Sequence, residues 1–212
     1  ATGVLYADHD ENRVQVSPSR LVSLSLFANN VAARLESARL LSHVGRLADQ
    51  DPLTGLGNRR AFDAALRREV ARAQRHLTPI TILMVDIDRF KELNDLHGHL
   101  VGDDVLRQTA ALLSKVVREM DFVARFGGDE FVVLMPGAEE AAGRAIRNRI
   151  LSEIDRQQPT LGREKWIFRL SLGVRTAPAE DADKLLSEAD SALYAHKEAQ
   201  VRAELLRVLS EA

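Results

Sequence analysis

Two apolar, strand-forming runs, Phe122 to Phe126 and Phe131 to Leu134, are separated only by Gly127, Gly128, Asp129 and Glu130. So short a connection folds the runs back on each other as a β-hairpin, with the glycines suited to the positive φ angles of a tight turn. The chain must therefore build an antiparallel sheet, and other elements must cover it. Glycine geometry does not account for Asp129 and Glu130 beside the turn. Two readings stand: solvated acids at a hairpin tip, or close approach of backbone to a ligand with carboxylates holding a cation.

Periodicity around the hairpin predicts helix over 58–76, strand over 80–86, and helices over 89–96 and 103–119. Strands are expected at 122–126 and 129–135, a helix at 138–157, a strand at 165–174 and a helix at 181–200. Strands and helices mixed around a central hairpin give an α+β class, a sheet with flanking helices on one or both faces. With 212 residues, 45% hydrophobic and 28% charged, the chain suits one domain with a real core plus an extra element.

The extra element is N-terminal. Gly3-Val4-Leu5-Tyr6-Ala7 is strand-like, and from Ser19 to Gln50 there is no proline and one glycine, Gly45. Leu21, Leu24, Ala28, Val31, Leu35 and Ala38 alternate spacings of three and four, and Leu41, Val44 and Ala48 continue on a rotated seam. Such a stripe suits a helix packed on its own domain or a dimerising connector; the scarcity of domain before it favours the connector. Asp51-Pro52 ends the pattern, which divides the chain into 1–50 and 51–212.

A second acidic site follows Thr81-Ile82-Leu83-Met84-Val85. Asp88 suits the N-cap of the next helix, whereas Asp86 ends a buried-looking strand where an unpaired charge is costly. With the strand end beside the hairpin, Asp86, Asp129 and Glu130 form one anionic cluster of hard oxygen ligands. That cluster suits Mg²⁺ or Mn²⁺ shared with substrate phosphates, and hence phosphoryl transfer. Asn94 offers donor and acceptor, and Asp103 either caps a helix or accepts the paired N–H groups of a guanine edge. His97 and His99 flank Gly98 but lack a further ligand for metal.

Several classes are excluded. A formal net charge of -2 leaves no footprint for DNA or RNA. The absence of cysteine rules out disulfides and thiolate metal sites and fits a reducing, cytoplasmic setting. Ile80 to Ile87, the most apolar stretch, is far too short to span a membrane, and no signal-peptide pattern opens the chain.

DPLTGLGNR, VDIDRFKELND, GHLVGD, RFGGDEF, SLGV and ADSALYAHK occur in this order between Asp51 and Lys197. Together they resemble the GGDEF family of diguanylate cyclases. The resemblance implies a palm-like fold akin to nucleotide cyclases and polymerases, with a central, mostly antiparallel sheet. It implies metal ligation by Asp86, Asp129 and the Ile87 carbonyl, with Glu130 supporting the metal and activating the attacking hydroxyl. Guanine would be recognised by Asn94 and Asp103. Phosphates would be held by Lys91, Lys197 and the backbone amides from Asp88 to Phe90, with Gly127 and Gly128 beside the substrate. It implies condensation of two GTP into cyclic di-GMP across a homodimer whose encounters the 19–50 helix controls. Arg118 and Asp121 form an R-x-x-D pattern that resembles the family's product-inhibition site.

The N-terminal segment resembles the end of a GAF domain, too short for a ligand pocket. The C-terminus departs from the family. Glu198-Ala199-Gln200-Val201-Arg202 stands where a Gly-Arg-Asn and a final strand are expected, and Ala203 to Ala212 reads as further helix. Arg202 is one position late for a phosphate-binding arginine. The rival expectation is a non-catalytic receptor for GTP or cyclic di-GMP.

Overall fold

The structure, a computed structural model, describes the backbone of residues 18–157, 160–161, 164–165, 169–178 and 182–211. Gly3 to Ala7 therefore lies outside the described residues. Two compact units are present, 1–48 and 49–212. Among the described residues the first holds one helix, α1 (Pro18–Asp49). Within it Leu24, Phe27, Val31 and Leu35 are exposed in the single chain.

The second unit runs β1 (Gly57–Asn58), α2 (Arg59–His76), β2 (Pro79–Ile87), α3 (Phe90–His97), α4 (His99–Val116), β3 (Phe122–Arg125) and β4 (Glu130–Pro136). It continues through α5 (Glu140–Gln157), the short β5 (Thr160–Leu161) and β6 (Glu164–Lys165), β7 (Leu170–Pro178) and α6 (Ala182–Glu211). Five strands form one sheet in the order β1-β3-β4-β2-β7. All its pairings are antiparallel except β1 with β3. The α+β, palm-like class is thus the observed one.

The sheet is covered on both faces because β2, at its centre, is apolar in both alternating series. Leu83, Val85 and Ile87 face a core shared with Leu106 and Leu113 of α4 and Ile150 of α5. Ile80, Ile82 and Met84 face the opposite core with Phe62 of α2 and Leu185, Ala189 and Leu193 of α6. Asp86 belongs by parity to this second series, and that directs it toward α6. Gly173 lets α6 lie directly on β7, since a Cβ there would collide with the backbone of Ala189 and Leu193.

β7 is an edge strand, and its outward backbone groups are met by side chains. His196 Nδ1 accepts from the Leu172 N–H at 3.2 Å, and Gln200 donates to the Leu170 carbonyl at 3.2 Å. Arg175 donates to the Val174 carbonyl at 3.0 Å.

Several local expectations are corrected. Gly98, at φ 82°, turns the chain so sharply that α4 restarts at His99 rather than Asp103. Asp103 therefore sits inside the helix and caps nothing. α4 stops at Val116, short of 119, because the Asp121 carboxylate accepts from the Arg118 N–H at 2.8 Å and holds a separate turn. The late strand occupies 170–178 instead of 165–174, paired with β2 from Leu170↔Ile87 to Pro178↔Pro79. Asp88 does not cap α3; Arg89, left-handed at φ 57°, holds that position without a side-chain cap. Neither Gly127 nor Gly128 has positive φ, and Asp129 lies in the turn, outside β4. At Gly127 a Cβ would instead meet the Glu130 carboxylate, which would have to swing aside.

Candidate functional site

The site is built where β2 ends beside the β3–β4 turn. Asp86 lies opposite Glu130 in the ladder, and the Ile87 N–H donates to the Asp129 carbonyl at 3.3 Å. Asp86 is 5% exposed, although it carries a charge at the end of an apolar strand. Burial pushes its carboxyl up to about 6; Lys197 of α6, 2.8 Å from Oδ1, opposes this, and the charges of Asp129 and Glu130 reinforce it. One ammonium pairs with Asp86 while two further carboxylates bear on it, an excess of negative charge that favours a cation.

Among the described residues no three His, Cys, Asp or Glu side chains converge into an ion cage. Mg²⁺ does not require one, because it retains water and binds through one or two carboxylates plus phosphate oxygens. The hard-oxygen donors and the charge excess fit a divalent cation at Asp86, Asp129, Glu130 and the Ile87 carbonyl.

Groups that could bind phosphate lie next to these acids. Asp88, Arg89, Arg169, Lys197 and Gln200 border a cavity of about 190 Å³. Lys197 was expected on phosphate; it is held by Asp86. The Asp88 N–H is spent on the Arg169 carbonyl at 3.0 Å, which leaves the amides of Arg89 and Phe90 at the open start of α3. The Asp88 side chain accepts from Ser171 Oγ at 2.6 Å, while its Oδ2 is buried without a partner. Lys91 is exposed on α3.

Across α3 and α4, Asn94 packs against Gly102, the residue before Asp103. The Asn94 side chain packs so tightly on Gly102 that a Cβ there would overlap Oδ1. That Oδ1 is buried and has no hydrogen-bond partner. Phe90 Cζ borders the same glycine, 3.1 Å from where the Cβ would stand.

Several working residues carried no role in the sequence reading. Asp51 Oδ1 accepts from Thr54 N at 2.9 Å and Thr54 Oγ1 at 2.7 Å, an Asp-x-x-Thr turn that its spacing could have disclosed. Arg125 bridges from Asp51 Oδ2, at 3.2 Å, to the Gly128 carbonyl, at 2.6 Å from Nη2. Burial would raise Asp51, but the Thr54 hydrogen bonds and the Arg125 charge hold it below the usual carboxylate range. The turn after α1 is thereby bolted to the Gly-Gly loop. Nothing in the sequence singles out Arg169.

Arg118 and Asp121 lie apart from these acids on an exposed turn after α4. They form no ion pair; the Asp121 carboxylate is turned onto Arg118's own backbone. Arg149 of α5 reaches the Val116 carbonyl at 3.5 Å, which places a second guanidinium two residues from Arg118.

The family model described as "Diguanylate cyclase, GGDEF domain" matches residues 48–202. The chain belongs to the GGDEF family. Among curated relatives, the diguanylate cyclase DgcP of Pseudomonas aeruginosa is 38% identical over 197 residues, 91% of this chain and 28% of that protein. The response regulator PleD of Caulobacter vibrioides is 40% identical over 161 residues, 74% of this chain and 36% of that protein. The chain thus spans about a third of the length of these relatives. The solved coiled coil and GGDEF domain of DgcB from Caulobacter crescentus, in complex with cyclic di-GMP, superposes with a TM-score of 0.76 at 31% identity. That match covers 84% of this GGDEF chain and 95% of DgcB's solved chain. Among the described residues, no helix is long and apolar enough to cross a membrane.

Proposed function

We propose that this GGDEF domain is a diguanylate cyclase that condenses two GTP into cyclic di-GMP, releasing two pyrophosphates. The observation that carries the reading is buried Asp86 held in register with the Gly-Gly turn, where Lys197 pairs with it and the charges of Asp129 and Glu130 bear on it. Asp86, Asp129 and the Ile87 carbonyl would hold Mg²⁺ or Mn²⁺, with Glu130 beside them. Bound there, the ion would acidify the attacking 3′-hydroxyl and offset charge developing on the α-phosphate.

The protein's own groups do the rest. Asp103 accepts the N1–H and N2–H of guanine, and the buried Asn94 Oδ1 accepts a further base donor. Lys91, Lys197, Arg169 and the Arg89 and Phe90 amides hold phosphate oxygens. Phe90 closes the space beside Gly102. Each 3′-hydroxyl attacks the other nucleotide's α-phosphorus, a P–O bond to that phosphate forms, and the bond to pyrophosphate breaks. Glu130 takes up the hydroxyl proton. One domain presents one nucleotide, so two copies must face each other, and the exposed apolar stripe of α1 supplies the dimerising surface. Arg118 and Asp121, with Arg149, form a product site that slows the enzyme.

The test is incubation with GTP and Mg²⁺ followed by measurement of cyclic di-GMP and pyrophosphate. Wild-type protein makes both, Asp129→Ala makes neither, and added cyclic di-GMP slows the wild type but not Arg118→Ala. One observation favours a receptor as the second reading: Lys197 is engaged by Asp86, and α6 runs on to Glu211 where the family turns back. Retained nucleotide binding without product at high protein concentration would select it.

A further inference from the structure

We propose that the cavity between α5, β7 and α6 is a binding site for a small phosphorylated anion, separate from the GTP site. The cavity holds about 380 Å³, inside the range of roughly 300–1,000 Å³ usual for small-molecule sites. It opens at the edge of β7, overhung by α5 from one face of the sheet and α6 from the other. Its lining carries Arg144, Arg147, Arg175 and His196 against a single acid, Glu140.

That acid is already used, since Arg144 grips Glu140 through Nε at 3.1 Å and Nη2 at 2.5 Å. Arg147 Nε is buried and, among the described residues, has no hydrogen-bond acceptor. Native interiors rarely leave a buried donor unpaired, least of all on a charged group. Arg175 spends one nitrogen on the Val174 carbonyl and keeps the remainder of its fork.

The histidine in the lining carries a fixed tautomer. A backbone N–H can only donate, so the Leu172 amide fixes His196 Nδ1 as an acceptor. The ring proton therefore sits on Nε2, which becomes a donor. Burial first, and then the charge of Arg147, hold this imidazole below its usual range, with Asp88 opposing. An anion in the cavity would answer the positive charge of Arg144, Arg147 and Arg175 around it. Leu172, Val174 and Ala192 supply apolar wall, which suits an organic phosphate better than a bare ion.

The experiment titrates the whole chain with ribose 5-phosphate and with inorganic phosphate by calorimetry, and follows the His196 ring resonances by NMR. Saturable one-to-one binding that moves those resonances is expected, tighter for the sugar phosphate. Arg147→Gln weakens it at least tenfold. Ala192→Glu, which supplies an internal carboxylate, abolishes it and raises Tm. Lys197→Met, which disables phosphate binding at the GTP site, leaves it intact. The proposal is overturned by no saturable binding, by unmoved His196 resonances, by unchanged affinity in Arg147→Gln and Ala192→Glu, or by loss in Lys197→Met. Absence of cyclase activity leaves every one of these readouts in force.

Discussion

Asp86 shows how a functional residue costs its fold. A strand whose neighbours are fully buried ends in a carboxylate, and its pKa is pushed up to about 6 from 3.8 by burial first. In metal-free protein the folded state therefore holds this proton more tightly than the unfolded chain does. The contribution to stability is full below about pH 4 and is lost as pH rises through about 6. Asp86→Asn removes that slope. Chemical denaturation at pH 4.5 and pH 7.5 should show the variant gaining of order 2 kcal/mol on the wild type across the interval. An unchanged pH dependence would mean that the carboxyl is not desolvated in solution. Asp51 runs the other way, because its lowered pKa adds stability that disappears only as pH falls through the acid range.

At the level of elements, two joints hold the site together. Arg125 links the Asp51 turn to the Gly128 carbonyl with both ionic partners largely covered. Arg125→Met strands a covered carboxylate, so a urea melt should register a loss of roughly 2 kcal/mol. Because the Gly-Gly loop is no longer held, cyclic di-GMP production should fall at least tenfold. Gly173→Ala pushes a methyl into the α6 backbone and should cost roughly 1–3 kcal/mol by the same melt. It should also loosen Lys197, seen as a weaker effect of Lys197→Met in the Gly173→Ala background.

Much of this was legible in sequence. Continuous apolar runs disclosed β2, β3 and β4, and acids at their ends marked the site because a charged residue in such a place has no packing reason to exist. The positions of Asp103 and Asp121 were harder. Both are residue types that cap helices, and tertiary choices decided otherwise: Gly98 restarted α4 early and the Arg118 turn ended it early. The joint from Asp51 to Arg125 spans 74 positions and no local pattern announces its partner.

For the molecule as a whole, the proposed chemistry requires a second copy. Below the dimerisation constant the product rate should rise with the square of protein concentration. A chain beginning at Gln50, which lacks the exposed stripe of Leu24, Phe27, Val31 and Leu35, should need far more protein to reach the same rate per domain. A first-order dependence in both chains would assign the pairing surface elsewhere. The sheet itself has an open side at β7, closed by His196, Gln200 and Arg175 where another strand would lie. Side chains can swing away in a single step, whereas a paired strand must be peeled off bond by bond. The middle of α6, which carries His196 and Gln200, is therefore also a guard against fibre growth, and a molecule in which it peels away presents a ready template on which unfolded chains can deposit.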